Sequence, residues 1–173
     1  MDIAKKSLEK GLTENNLQIL APMYKGEIGK DNLNINLQNI FNPHKDDLKS
    51  ISLGNIIYRI NDKILNLVND VDKGIYNGDI GYIYDIDINS KSDFLRVDFE
   101  GNIVSFKKEE LNTIKHAYAI SIHKSQGSEF DHVILPISKT YNKMLYNKLI
   151  YTAISRAKKC LIIIGSKEAF IYS

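Results

Sequence analysis

The sequence predicts an α/β domain built on a parallel sheet and interrupted by a small β-barrel. An apolar strand followed by a helical pattern lies near the start, and strand, loop, helix and strand patterns return after His116. Between them, from Tyr58 to about Lys107, short alternating segments follow one another with hairpin turns. Strands that alternate with helices are typical of parallel α/β sheets, and short strands joined by hairpin turns are typical of small barrels. We therefore predict a discontinuous α/β domain formed by residues 1–54 and 112–173, and a barrel insert formed by residues 55–111.

The first part of the chain predicts a helix, a buried strand and a second helix. Residues 3–12 have the pattern of an amphipathic helix, and the apolar run 16–21 stops at Pro22, as a buried strand would. Asp31 is a suitable N-cap for the second helix, and Asn42-Pro43 ends it. Its apolar positions recur at helical spacing: Leu33, Leu37, Ile40 and Phe41.

The middle of the chain predicts about five short strands. Turn signals occur at Tyr76-Asn77-Gly78-Asp79 and at Glu100-Gly101-Asn102. Alternation places one set of side chains on a common strand face: Ile80, Tyr82, Tyr84 and Ile86. Exposed barrel tyrosines could stack on bases, although tyrosine in an alternating strand is more often a packing residue. Tyr76, beside the Asn-Gly turn, is the first candidate for a base contact.

The last part predicts strands at 117–122 and 132–137, a polar loop at 123–130 and a helix at 143–157. The continuous apolar run 160–164 is typical of a strand buried on both faces. Cys160 opens this run, and we expect it to be a small core residue.

Composition narrows the function classes. Hydrophobic residues make up 43% and charged residues 25%, which predicts a packed globular chain. The net charge of +2 means that any nucleic-acid contact must come from a local arrangement of groups. One cysteine fits a reducing compartment, no apolar run is long enough for a membrane span, and we expect a cytoplasmic protein. The four histidines have no paired ligand spacing, so a metal site is not predicted.

Two segments carry candidate chemistry. Residues 118–130 lead from a predicted buried strand into a polar loop, where Gly127 would allow close backbone approach to an anion. In residues 148–158, Arg156 ends an otherwise apolar helical stripe of Leu145, Leu149 and Thr152, so it is expected to meet an anion in a cleft. The alternatives are an ordinary surface loop and an arginine that snorkels at a helix end.

Taken in series, these segments resemble known motifs. His-Lys-Ser-Gln-Gly-Ser-Glu-Phe (123–130) resembles motif V of superfamily 1 helicases, and Tyr-Thr-Ala-Ile-Ser-Arg-Ala-Lys (151–158) resembles motif VI. The opening Gln-Ile-Leu-Ala-Pro-Met-Tyr-Lys-Gly (18–26) resembles the start of the second RecA-like domain of RecD-like helicases. Tyr58-Arg-Ile-Asn-Asp-Lys-Ile and Tyr-Asn-Gly-Asp-Ile-Gly81 resemble the SH3-like barrel inserted in that domain.

The resemblance implies a role for each motif residue. Arg156 would be the arginine finger that reaches the γ-phosphate of ATP held by the other RecA-like domain. Gly127 and Glu129 would lie on the nucleotide side, with Lys25 a weaker candidate because lysine lacks the fork of the arginine expected there. Four residues would face single-stranded DNA or connect the DNA site with the nucleotide site: His123, Lys124, Ser125 and Gln126. The implied activity is ATP-driven 5′-to-3′ translocation on DNA.

The chain lacks the signatures of the ATP-binding half. The nearest match to a phosphate-binding loop, residues 26–31, has the wrong glycine spacing and Asp31 in place of Ser or Thr. We therefore expect a part of a longer protein whose N-terminal RecA-like domain binds ATP and Mg²⁺, with nuclease-complex subunits as further candidate partners. Two alternatives stay open: a non-catalytic module that binds DNA or protein, and the helicase part of a plasmid relaxase.

Overall fold

The computed structural model describes residues 1–22, 29–137, 147–165 and 167–168. It divides into two compact units, one formed by Met1–Phe41 with Tyr118–Ser173 and the other by Asn42–Ala117. The insert predicted at 55–111, from alternating segments and the turns between them, starts later and ends earlier than the second unit. The difference arises because a hairpin that starts at Ser50 and a strand that ends at His116 belong to the second unit.

The first unit contains three helices and four strands in its described residues. The helices are α1 (Asp2–Glu9), α2 (Lys30–Phe41) and α3 (Asn147–Ile154). The strands are β1 (Leu17–Ala21), β9 (Ala119–Ser121), β10 (Phe130–Pro136) and β11 (Ala157–Ile164), and a 3-10 helix follows β9 at Ile122–Ser125.

The second unit is built of strands. They are β2 (Ser50–Leu53), β3 (Ile56–Arg59), β4 (Lys63–Asn66), β5 (Ile80–Ile86), β6 (Leu95–Phe99), β7 (Asn102–Phe106) and β8 (Ile114–His116). A 3-10 helix at Lys108–Thr113 precedes β8.

The sheet of the first unit is parallel, with strand order β11-β10-β1-β9. Residues of β1 are buried throughout because strands flank β1 on both sides and apolar side chains cover it. On α2, the buried Asn34 donates through Nδ2 to the carbonyl of Ala119 (2.8 Å) and accepts from its N–H (2.9 Å). One amide side chain therefore bonds both the carbonyl and the N–H of Ala119 in β9. These two bonds hold in place the strand that leads into the segment resembling motif V.

Two predictions about this unit are corrected. Asp31 is not an N-cap, because α2 already begins at Lys30 and Asp31 lies in its first turn. The last strand is not buried on both faces: among the described residues β11 pairs only with β10, and Cys160 is exposed. A continuous apolar run is typical of a central strand, but here it lies at an edge, which a local pattern cannot reveal.

The second unit combines a five-stranded antiparallel sheet, in the order β7-β6-β5-β4-β8, with the two-stranded hairpin β2-β3. Both predicted turns are present, and Glu100 and Gly101 adopt positive φ between β6 and β7. The common face predicted for β5 holds for Ile80, Tyr82 and Tyr84 but is wrong for Ile86. A bulge between Ile83 and Asp85 shifts the register, so the core side carries Gly81, Ile83 and Ile86, whereas Tyr84 is exposed.

A buried carboxylate lies between the two ends of the second unit. Asp62 has no exposed surface and accepts hydrogen bonds from Asn42 Nδ2 (2.8 Å) and the Arg59 N–H (2.7 Å). Its second oxygen is also 3.0 Å from Nε2 of His116. Asn42 is the first residue of the unit and His116 its second-last, so one side chain holds the entering and the leaving chain together.

Candidate functional site

The segment that resembles motif V folds as a 3-10 helix followed by a glycine turn. Ser121 ends β9 as the N-cap, and its Oγ accepts from the Lys124 N–H (3.4 Å). The Ser125 hydroxyl is buried and donates to the Ile122 carbonyl (2.7 Å). Two serine hydroxyls therefore stabilise this short turn, as side chains of this kind do wherever regular backbone bonding is missing.

The predicted DNA-facing side chains are not equivalent. His123 and Gln126 are exposed, and Lys124 is half-buried. Ser125 is fully buried, so of the two roles expected of it, facing the DNA strand or linking the two sites, the burial fits only the second. The physical reason is that the 3-10 helix turns this position inward, where the Ile122 carbonyl needs a donor.

Gly127 occupies the position where the backbone reverses. Its φ is +86°, a conformation that side-chain-bearing residues rarely adopt, and open space surrounds the place where a Cβ would lie. The next carboxylate, Glu129, pairs with Lys158 at 3.2 Å, and both side chains are more than half exposed. This open turn and its exposed ion pair form the accessible surface of the loop.

Arg156 connects this loop to the segment that resembles motif VI. It lies two residues beyond α3 and is half-buried. Its Nε donates to the Thr152 carbonyl (3.2 Å), Nη1 to the Ser128 carbonyl (3.2 Å) and Nη2 to the Ser155 hydroxyl (3.1 Å). No described carboxylate forms an ion pair with this guanidinium, and two of its five N–H groups have no partner among the described residues.

The predicted apolar stripe that leads to Arg156 can be followed only in part. Leu145 lies outside the described residues, and the side chain of Leu149 is not described. Further along α3, Ile150 and Ala153 are buried. The buried side chains of α3 hold the end of this helix in place, and Arg156 lies two residues beyond that end.

Charged pairs continue along the start of β11. Lys159 donates to Asp131 at 2.8 Å, and this hydrogen bond lowers the pKa of the Asp131 carboxyl below its usual value. Together with Glu129–Lys158, it gives two exposed ion pairs between neighbouring parallel strands. Sequence reasoning missed the Asp131–Lys159 pair, although the alignment of the two strand starts, where Phe130 pairs with Ala157, would have indicated it.

The other predicted site residues fall in different places. Lys25 lies outside the described residues. Tyr76 belongs to the second unit and is 53% exposed, so its ring is accessible. Tyr58 is a core residue whose hydroxyl donates to the Ile114 carbonyl, and burial, followed by the nearby Asp62, raises its pKa to about 12. Tyr84 is exposed, and the Arg96 guanidinium carbon lies over its ring, 5.7 Å from the centre of the ring.

Neither a metal cluster nor a membrane helix is found in the described part of the chain. No group of three His, Cys, Asp or Glu side chains there could hold a metal ion. None of the helices in the same residues combines the length and the apolar character that a membrane span needs.

Comparison with known proteins gives two family matches in series. Residues 33–99 match the SH3 domain of ATP-dependent RecD-like DNA helicases, and residues 116–164 match the UvrD-like helicase C-terminal domain. The chain belongs to the RecD-like superfamily 1 DNA helicases. This confirms the family resemblance and the fold class, a RecA-like parallel-sheet domain with an SH3-like insert.

Individual relatives agree with this RecD-like assignment. The ATP-dependent RecD2 DNA helicase of Deinococcus radiodurans is 34% identical over 154 residues, which cover 89% of this chain and 21% of that protein. The RecBCD enzyme subunit RecD of Buchnera aphidicola subsp. Schizaphis graminum is 33% identical over 168 residues, covering 92% and 26%. The chain therefore spans about a fifth to a quarter of the length of these relatives.

Solved helicase structures share the RecD-like fold. Pif1 helicase from Bacteroides, in complex with ADP-AlF3 and ssDNA, has a TM-score of 0.58 at 17% identity, covering 93% of this chain and 44% of that one. Pif1 helicase from Candida albicans has a TM-score of 0.56 at 15% identity, covering 99% and 53%. At these identities the likeness concerns the fold alone.

Proposed function

We propose that this chain is the second motor domain of an ATP-dependent DNA helicase that moves 5′ to 3′ on single-stranded DNA. In this proposal Arg156 is the arginine finger, and ATP with its Mg²⁺ is held mainly by a separate N-terminal RecA-like domain. His123, Lys124 and Gln126 form part of the DNA track, and the open turn at Gly127 lies on the nucleotide side.

One observation supports this role most directly. The Arg156 guanidinium is held by two backbone carbonyls and one hydroxyl rather than by a carboxylate within the described residues. Its charge is therefore not neutralised by a described acid, and its two unengaged N–H groups can meet an anion. Negative charge develops on the phosphoryl group in the transition state of ATP hydrolysis. A guanidinium that is already in position and not neutralised can stabilise this charge without any rearrangement of the protein.

The alternative of an arginine that only stabilises a helix end accounts for the bond to Thr152. It does not account for the bond to Ser128, which lies in the motif V loop. That second bond ties the two motifs together and favours a role in which the loop and the finger change position as one.

The test uses the full-length parent protein. Arg156→Ala is expected to reduce DNA-stimulated ATP hydrolysis by roughly 10³-fold or more, with single-stranded DNA binding largely kept. Arg156→Lys is expected to recover little activity, because lysine cannot donate to all the acceptors now served by the planar fork. The chain by itself is expected to hydrolyse no ATP.

Lys159→Ala is the matched control, since it removes a cation three residues away that pairs with Asp131, outside the predicted site. Its turnover should stay within a few-fold of the unmodified protein. Near-normal DNA-stimulated hydrolysis by Arg156→Ala would remove Arg156 from the catalytic role. Translocation assays on DNA with single-stranded tails of either polarity test the 5′-to-3′ direction.

A further inference from the structure

The second unit carries a loop that the motor proposal does not use. Residues 67–79, here called the acidic loop, connect β4 to β5 and contain three aspartates and one lysine. Lys73 lies 2.6 Å from Glu110 and 3.6 Å from Asp70, so its positive charge is already matched. The loop therefore presents an excess of negative charge.

The acidic loop is firmly held in one shape. Asp70 and Ile75 exchange two backbone hydrogen bonds, of 2.8 and 3.1 Å. Asn66, fully buried, donates through Nδ2 to the carbonyls of Val68 (2.6 Å) and Tyr76 (2.9 Å). Because the loop is fixed from the inside, little conformational entropy would be lost when a partner binds to it.

Two apolar side chains stand on the outside of this fixed loop. Asp70 and Ile75 form a β-bridge, and the residue that follows each of them is exposed. Tyr76, which follows the buried Ile75, is 53% exposed, and Val71, which follows Asp70, is 74% exposed. Each lies one residue beyond the Asp70–Ile75 bridge, so they are diagonal neighbours. Gly74, between them in the chain, has no side chain to cover either one.

Charge decides which class of macromolecule suits this surface. A nucleic-acid strand would bring a phosphate with every base, next to Asp72 and Asp79, and that repulsion opposes stacking on Tyr76. The amines of Lys107 and Lys108 are in the neighbouring 3-10 segment rather than in the loop. A protein segment with lysine or arginine among apolar residues would gain from both the apolar contact and the charge.

We propose that the surface formed by Val71, Tyr76 and the adjoining aspartates, here called the Val71–Tyr76 surface, binds a basic, apolar segment of another protein. The inference is independent of the motor proposal, since it uses no residue of the first unit. It replaces base stacking, predicted from sequence, as the role of Tyr76.

The test combines a selection with a binding measurement on the full chain. Short random peptides displayed on phage are selected on the unmodified chain after depletion on the Val71→Ala/Tyr76→Ala double variant. Peptides enriched in this way are expected to combine Lys or Arg with apolar residues. Their affinity, measured by fluorescence anisotropy, should fall by roughly tenfold or more in each single variant and should weaken at high salt.

Tyr84→Ala is the matched control, because it removes another exposed tyrosine of the same unit, and its affinity for the peptides should not change. Labelled oligothymidylate is measured in parallel with all variants. Enrichment of acidic peptides, or no enrichment over the depleted double variant, would overturn the proposal. Loss of oligothymidylate binding in Tyr76→Ala, with selected peptides unaffected, would overturn it in favour of base stacking.

Discussion

Replacing Asp62 with alanine is the sharpest test of what holds the second unit together. The carboxylate is fully buried, with Asn42 Nδ2, the Arg59 N–H and His116 Nε2 all within 3.0 Å of its oxygens. The alanine variant leaves these polar groups without their acceptor inside the protein. The loss of one partner from a buried charged network costs about 3–5 kcal/mol.

That cost is large for a unit of this size. At ~0.05–0.15 kcal/mol per residue, the unit formed by Asn42–Ala117 would have a total stability of roughly 4–11 kcal/mol. We expect the melting temperature of the second unit to fall by more than ~10 °C in Asp62→Ala. Hydrogen exchange at the backbone amides of β4 and β5 should accelerate, whereas the strands of the first unit give an internal reference.

Asp46→Ala is the matched control, because the Asp46 side chain is fully exposed and pairs only loosely with the exposed His44. Its melting curve should superimpose on that of the unmodified chain. Asp62→Asn should fall between the two, since its amide keeps one acceptor but points an N–H at a neighbouring donor. A melt of Asp62→Ala that coincides with the control would show that the buried network contributes little.

Two further perturbations test the packing and the burial of the second unit. In Gly81→Ala the new Cβ would lie 2.6 Å from the Asp98 carbonyl oxygen, so we expect a loss of about 1–3 kcal/mol in thermal melts; a melting curve that coincides with that of the unmodified chain would contradict the clash. Burial raises the pKa of Tyr58 from 10.0 to about 12, so the neutral form is favoured in the folded state, and roughly 2–3 kcal/mol of stability should be lost as the pH rises from 10 through 12. Tyr58→Phe should flatten this part of the stability profile measured by denaturant titration, and an unchanged slope would contradict the assignment.

Local patterns predicted most secondary-structure elements and the two motif segments, but not the strands β2 and β8. The turn at Tyr76–Asp79 and the end of α2 before Pro43 follow from residue types that restrict the backbone locally. Ile86, which lies on the other face of β5 from the one predicted, shows the limit of alternation. One bulge after Ile83 exchanges the two faces, and it depends on the pairing with β6 rather than on the sequence of β5.

Contacts between distant residues could not be predicted from the chain alone. Asp62 and His116 are far apart in sequence, and no local signal marks either as part of a buried network. In the candidate site, Arg156 could be chosen as a candidate because its position in the segment resembling motif VI is distinctive. Its bond to the Ser128 carbonyl could not be predicted, because it depends on how α3 packs beside the 3-10 helix that follows β9.

An inserted segment whose first and second-last residues are joined through one side chain behaves as a closed loop with a narrow base. Asn42 and His116 meet through Asp62, so the host chain closes a short gap whatever the length of the segment between them. Residues added to or removed from loops inside this segment would therefore leave unchanged the short separation at which the host chain enters and leaves it.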